Sequence, residues 1–135
     1  MEYKYNRQER LFTRVEPVTI KNVKLKISLD TSYKESEFES KVEEAVNKIE
    51  SNWDKLCRTL INNLYEIHIE SWRYEKESDF SEEDFLSNLL LDTVIINKKT
   101  SYTIRFTTGE LFQGKILEVI YDNDGSIFVT GLIGQ

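Results

Sequence analysis

The chain has 135 residues, 31% of them charged, and a formal net charge of −6 at pH 7. A chain of this length, residues 1–135, fits one domain that buries roughly two-thirds of its unfolded surface and folds without a disulfide or a metal. Its one cysteine excludes an intramolecular disulfide, and no apolar run reaches the roughly 18 residues that a membrane helix needs. The polar start, Met1–Arg10, does not match a signal peptide, so we expect a cytoplasmic protein.

The charge is unevenly distributed along the chain. Residues 1–30 carry seven basic and four acidic side chains, whereas residues 31–92 carry seven basic and sixteen acidic ones. Such an acidic middle segment would repel a phosphate backbone, so we expect no nucleic-acid partner. Two explanations stay open, namely solvated helix faces or a surface complementary to a basic protein.

The first thirty residues predict strands. Apolar and polar side chains alternate from Val23 to Leu29, which is typical of a half-buried strand, with Lys24, Lys26 and Ser28 on its polar face. A partner strand is predicted at Leu11–Thr19 with a turn at Lys21–Asn22, and a weaker strand at Glu2–Asn6.

Helices are predicted in the middle of the chain. Apolar residues recur every three or four positions from Phe38 to Ile67, as one long helix or as two helices broken near Glu50–Asn52, and we favour two. Ser36 and Glu39 match a capping box at the start of this stripe, and a third helix begins at Ser81 with Asp84 at its third position. Because Trp53 lies on the stripe and Cys57 borders it, we expect both to be buried, and the thiol to be inert.

Strand patterns return after Asp92, separated by turn sequences. The predicted strands are Thr93–Asn97, Tyr102–Thr107, Lys115–Tyr121 and Ser126–Leu132, with turns at Lys98–Thr100, Thr108–Glu110 and Asp122–Gly125. The predicted fold class is therefore α+β, with N-terminal antiparallel strands, a three-helix middle segment and a C-terminal antiparallel four-strand meander.

Residues for catalysis or metal binding are scarce. The only histidine, His68, follows the only thiol by eleven residues, or about 16 Å along a helix, so the two cannot form a dyad. One histidine and one cysteine cannot supply a structural zinc set. We expect a binding protein without catalytic residues, cofactor or metal, and keep a hydrolase acting through carboxylates as a minor alternative.

The segment Tyr74–Asp84 is the most acidic local stretch, and two aromatic residues interrupt it. It is either a solvated loop whose acids favour the next helix N-terminus, or an acidic docking loop for a protein partner. The docking hypothesis predicts the partner-binding residues Tyr74, Glu75, Glu77, Asp79, Phe80, Glu82 and Glu83.

An ordered set of motifs resembles a bacterial domain-of-unknown-function family, number twenty-two sixty-two. The set comprises Trp53 followed by Leu64–Trp72, the helix start Ser81–Phe85, the segment Gly109–Lys115 and a closing Gly131–Gly134. The family signature Leu-Phe-Trp-Gly-His is only partly matched, because this chain has Gln113 and Lys115 at the tryptophan and histidine positions. The resemblance implies similarity to small proteins encoded beside polymorphic toxins, some of which are immunity proteins.

The leading hypothesis is thus an immunity-type protein that neutralises a cognate bacterial toxin by stoichiometric occlusion, with acidic and aromatic residues over a basic cleft. The alternative is a housekeeping or regulatory domain that binds a small ligand, or another bacterial protein, in a cleft between sheet and helices.

Overall fold

One mixed sheet contains both the N-terminal and the C-terminal strands. The computed structural model describes residues 2–65 and 81–133. The strands of the sheet are β1 Tyr3–Asn6, β2 Leu11–Arg14, β3 Val18–Ile20, β4 Val23–Asp30, β5 Leu90–Ile96, β6 Tyr102–Thr107, β7 Ile116–Tyr121 and β8 Ile127–Ile133. They lie in the order β1-β2-β4-β5-β6-β7-β8, with β3 paired to β4 beside this path. The described α-helices are α1 Phe38–Ser51, α2 Trp53–Leu60 and α3 Glu82–Ser87.

The predicted α+β class, with N-terminal strands, a helical middle and a C-terminal meander, is confirmed. Every strand pair is antiparallel except β4 with β5, which run parallel with Ile27 opposite Val94 and Leu29 opposite Ile96. A parallel pair cannot be joined by a tight turn and requires a long crossover. The helices belong to that crossover, and this parallel pair was not predicted.

The N-terminal strands follow the prediction with one correction. The predicted strand Leu11–Thr19 is two strands, β2 and β3, which are interrupted before Val18. Pro17 lies in the interruption, where its lack of an N–H costs no hydrogen bond between strands. The predicted turn is confirmed, since Lys21 and Asn22 have φ of 49° and 67°, the left-handed values that a tight hairpin turn requires.

Ser28 lies on the predicted polar face of β4, but it is not exposed there. It is fully buried, and its Oγ lies 2.8 Å from the Oγ1 of Thr13 on the neighbouring strand β2. The alternation was correct, because Ser28 does point away from the core, but strands on both sides of β4 bury so small a side chain. The short serine side chain forms its hydrogen bond with a residue on the adjacent strand, whereas the longer side chains of Lys24 and Lys26 extend into solvent.

The helix break is confirmed, and the first capping box is not. α1 and α2 meet at Asn52, whose side chain donates to the carbonyl of Lys48 at 2.9 Å. Glu37, not Glu39, accepts the first-turn N–H, from Lys34 at 2.8 Å. Ser81 caps α3 as predicted, because its Oγ accepts the N–H of Asp84 at 3.0 Å.

The core lies between the helices and one face of the sheet. Ala45 and Ile49 of α1 are fully buried in one cluster with Ile27, Val94 and Ile104 of the sheet. Trp53 is only partly buried at the margin of this cluster, which corrects its predicted core position. Since a partly exposed ring leaves a smaller cavity, Trp53→Ala should cost less than the roughly 3–5 kcal/mol of a buried tryptophan.

No helix among the described residues is long and apolar enough to cross a membrane.

Tyr102 places a polar atom in this core without a hydrogen-bond partner. The residue is 1% exposed, and its hydroxyl has no partner in the described parts of the chain. Its ring packs edge-on against Tyr121 at 5.8 Å between centroids, and burial raises the pKa of the phenol. A buried hydroxyl without a partner loses its hydration and gains nothing in return.

We therefore expect Tyr102→Phe to raise the free energy of unfolding by about 1 kcal/mol, measured by denaturant melts. Tyr121→Phe is the matched control on the next strand, and it should leave stability unchanged. A loss of stability in Tyr102→Phe alone would show that this hydroxyl is bonded in solution.

Candidate protein-binding surface

The face of the sheet opposite α1 and α2, here called the open face, exposes large apolar side chains. Leu90 is 51% exposed, Phe128 46% and Ile133 41%. Strand alternation places these residues away from the core. Ile95 confirms the separation of the two faces, because it is buried yet is not part of the core cluster.

Strand register arranges these side chains in two rows across the open face. One row runs from Leu90 through Thr107 and Ile116 to Ile133. The other runs from Ile95 through Thr103 and Ile120 to Phe128. We call the exposed and partly exposed apolar members of both rows the apolar platform: Leu90, Ile116, Ile120, Phe128 and Ile133.

An ion pair lies between the two apolar rows. Arg105 Nε donates to Glu118 Oε2 at 3.0 Å, and the side chains are 32% and 21% exposed. The second carboxylate oxygen of Glu118 accepts from Thr130 Oγ1 at 3.0 Å. Since adjacent side chains on one face are about 7 Å apart along a strand, the ion pair is flanked by apolar rows on both sides.

Exposed apolar side chains gathered on one face mark an interaction surface more often than scattered ones do. The fixed ion pair offers both a guanidinium and a carboxylate to a partner without requiring either charge to be buried alone. The open face therefore combines exposed apolar side chains with a fixed ion pair, an arrangement that was not predicted from the sequence. The signal was present in β5, whose uninterrupted run Val94–Ile96 is apolar on both faces.

The sequence-predicted acidic site is only partly described. Tyr74, Glu75, Glu77, Asp79 and Phe80 lie outside the described residues. Glu82 and Glu83 form the first turn of α3, where both are exposed. Neither belongs to an ion pair within residues 2–65 and 81–133.

A cavity of about 430 Å³ lies beside Glu82. Cys57 lines this cavity and is half-buried, which corrects its predicted full burial. Burial and the nearby Asp54 carboxylate raise the pKa of the thiol, and Lys21 opposes them only partly. The full lining is Asp54, Cys57, Arg58, Ile61, Asn62 and Glu82.

A second groove, of about 480 Å³, lies between β3 and α1. At its margin Glu39 Oε1 accepts from Tyr3 Oη at 2.7 Å and from Arg14 Nε at 3.0 Å. The Arg14 hydrogen bond, followed by that of Tyr3, holds the pKa of the Glu39 carboxyl below its usual range. Burial and this carboxylate raise the pKa of Tyr3.

The described residues include no group of three or more histidine, cysteine or acidic side chains that could hold a metal ion. Asp122–Gly125 is a hairpin turn, as predicted, in which Gly125 N–H donates to the Asp122 carbonyl at 3.0 Å.

Residues 2–132 match the family model described as an uncharacterized protein conserved in bacteria (DUF2262). The chain belongs to the DUF2262 family. No significant match to a curated protein or to a solved structure accompanies this match.

In this DUF2262 chain the segment Gly109–Lys115 is held by its apolar residues. Leu111 and Phe112 are buried, while Gln113 is exposed with φ of 56°. Thr108 Oγ1 closes the segment by donating to the carbonyl of Lys115 at 2.6 Å. The buried Leu111 and Phe112 and the Thr108 hydrogen bond thus help to hold Gln113 at the surface.

The Glu39 contacts predict a pH-dependent loss of stability. A carboxyl whose folded-state pKa is lowered stabilises the fold above its unfolded value of about 4.3, and this contribution disappears as pH falls through the folded-state pKa. At pH 7 the free energy of unfolding of wild type should exceed that of Glu39→Gln by about 1 kcal/mol or less, since solvent screens a half-exposed carboxylate. Denaturant melts should show the difference shrinking as pH falls below the unfolded value and vanishing only below the lower folded-state pKa. If the stability difference between wild type and Glu39→Gln does not change with pH, it arises from packing and not from the charge of Glu39.

The Cys57 environment predicts slow thiol labelling at neutral pH, because the thiolate is the reactive species. The labelling rate should rise with pH as the thiol ionises. Asp54→Asn should speed labelling at a given pH by removing the charge that raises the thiol pKa. Rapid labelling of the wild-type protein at pH 7, or no change in Asp54→Asn, would contradict this explanation.

Proposed function

We propose that this DUF2262 protein is a non-enzymatic immunity-type protein, which neutralises a cognate bacterial toxin by stoichiometric binding. The observation that carries the proposal is the exposure of Leu90, Phe128 and Ile133 on the open face of the sheet. A sheet face is shallow, so it suits covering a protein surface better than enclosing a substrate.

The apolar platform would supply the affinity of such a complex. Burying exposed apolar surface contributes roughly 25 cal/mol per Å², and aromatic anchors carry a large share of the energy at protein interfaces. Phe128 is the only aromatic member of the platform, which makes it the expected anchor. The Arg105–Glu118 pair would set the orientation of the partner through polar contacts.

The acidic charge would act on association rather than on affinity. A net charge of −6 attracts a basic partner over distances comparable to the roughly 8 Å screening length at physiological salt. The exposed acids Glu82 and Glu83 contribute to this field. The docking role of Tyr74, Glu75, Glu77, Asp79 and Phe80 stays a prediction within the same proposal.

The test pairs this protein with a toxin domain encoded by an adjacent gene, and measures growth protection and complex formation in vitro. Phe128→Ala should raise the Kd roughly 30-fold, or about 2 kcal/mol, mainly through faster dissociation. Tyr5→Ala is the matched control, because Tyr5 is 49% exposed on strand β1 at the opposite edge of the sheet. Thermal melts without toxin establish that both variants fold.

Replacing Glu82 and Glu83 by Gln should slow association and weaken its salt dependence while leaving dissociation unchanged. The same experiment with Glu75, Glu77 and Asp79 tests the predicted acidic loop. If Phe128→Ala binds like wild type while the loop variants lose protection, the open face is not the toxin-binding surface. If no toxin encoded nearby binds the wild-type protein, the immunity function is wrong.

A second candidate is a regulatory domain that binds a small polar ligand. The groove between β3 and α1 supports it, because about 480 Å³ falls within the usual size range of ligand pockets. Arg14 and Glu39 at its margin offer one cationic and one anionic group. A thermal-shift panel of nucleotides, amino acids and sugar phosphates would favour this function if one compound stabilised wild type but not Asn47→Ala, which alters the groove wall.

A further inference from the structure

The β8 edge of the sheet has backbone groups that no other part of the described chain uses. β8 is the last strand in the sheet and pairs only with β7. No backbone hydrogen bond from a loop of the described chain reaches its outer side. An edge strand with free N–H and C=O groups is a template for a further strand.

Most of the usual protections of an edge strand are missing from β8. Its seven residues, Ile-Phe-Val-Thr-Gly-Leu-Ile, include no charge and no proline. At the opposite edge, β1 has only four residues and carries Lys4. Length, neutrality and apolar side chains all favour strand addition at β8 rather than at β1.

The one irregularity in β8 makes the strand self-complementary. Thr130 is the extra residue of a bulge, because Glu118 pairs with Gly131 and the adjacent Val119 pairs with Val129. Phe128 and Ile133 are five residues apart and would lie on opposite faces of a regular strand. The bulge brings both to the open face, opposite Ile120 and Ile116 of β7 respectively.

We infer that β8 pairs antiparallel with β8 of a second copy of this chain, about a two-fold axis between Thr130 and Gly131. In this register Phe128 faces Ile133 of the second copy on the open face. Val129 faces Leu132 on the helix side. Residues opposite each other in an antiparallel pair must lie on the same face, and both pairs meet this requirement.

The centre of the pairing also has room. A side chain added at Gly131 would meet no atom of the described chain within 4 Å, so no described residue covers the backbone at this position. A second copy is favoured over an unrelated strand because an uncharged edge offers no charge pattern to select a different partner. An identical strand needs no such selection, since neither β8 strand carries a charged side chain that the other would repel.

The resulting dimer has one continuous sheet in which the two open faces lie side by side. Edge pairing leaves the tops of the platform side chains accessible, so it doubles the platform without covering it. The inference does not rest on the proposed immunity function, since it concerns the mass of the protein without any toxin.

The full chain should sediment as a dimer that dissociates on dilution. The variant Phe128→Lys with Ile133→Lys should be monomeric, because each facing pair would then bring two lysines together. The variant Phe128→Glu with Ile133→Glu should be monomeric for the same reason. An equimolar mixture of the two should form a heterodimer, visible by native mass spectrometry, because each facing pair then joins a lysine to a glutamate.

The heterodimer tests the register and shows that both variants are folded. The control is Tyr5→Lys at the β1 edge, which should stay dimeric. A monomeric wild-type protein at every concentration, a dimer that survives both charged variants, or charged variants that fail to combine would each overturn the inference. Toxin binding by a monomeric wild-type protein would overturn the dimer while leaving the proposed function intact.

Discussion

The parallel pairing of β4 with β5 is the constraint on which the rest of this structure depends. It joins an N-terminal group of strands to a C-terminal meander, with Ile27 opposite Val94 at its centre. A parallel connection must cross over the sheet, and α1 and α2 occupy that crossover on one side. The apolar stripe of α1 is buried against that side, and the other side becomes the open face.

A second, smaller set of contacts fastens the edge strand β1 and its neighbour β2 to α1. Tyr3, Phe12 and Phe38 form an aromatic cluster, with Phe38 4.9 Å from Tyr3 and 5.1 Å from Phe12 between ring centroids. Glu39 completes the attachment by accepting from both Tyr3 and Arg14. Because β2 also pairs with β4, these contacts add to strand pairing in holding the β1–β2 hairpin on the molecule.

The open face and the β8 edge are adjacent surfaces that share residues of β8. The apolar platform continues onto β8 through Phe128 and Ile133, so any partner on the open face lies close to the edge where a second copy would pair. Under the proposed function, a dimer would present two platforms side by side, either to two toxin molecules or to one symmetric target. The bulge at Thr130 affects both surfaces. It turns Ile133 towards the open face, and it lets the Thr130 hydroxyl donate to the Glu118 carboxylate.

Local patterns in the sequence were sufficient for most of the elements. Alternation from Val23 to Leu29 and the turn at Lys21–Asn22 predicted the hairpin, because both signals depend on neighbouring residues only. The cap at Ser81 was predicted for the same reason. The Glu39 cap was wrong because Arg14, 25 residues away, offers a charged donor that outweighs a local backbone amide.

By itself the sequence determined most of the strands and helices, the acidic charge and the family. The parallel β4–β5 pairing, the burial of Ser28 and the apolar platform were decided only by the tertiary structure. The platform shows the physical reason: Leu90, Ile116 and Ile133 come from three strands, and only strand register brings them into one row. Register is set by long-range packing, and the local periodicity of the sequence does not reveal it.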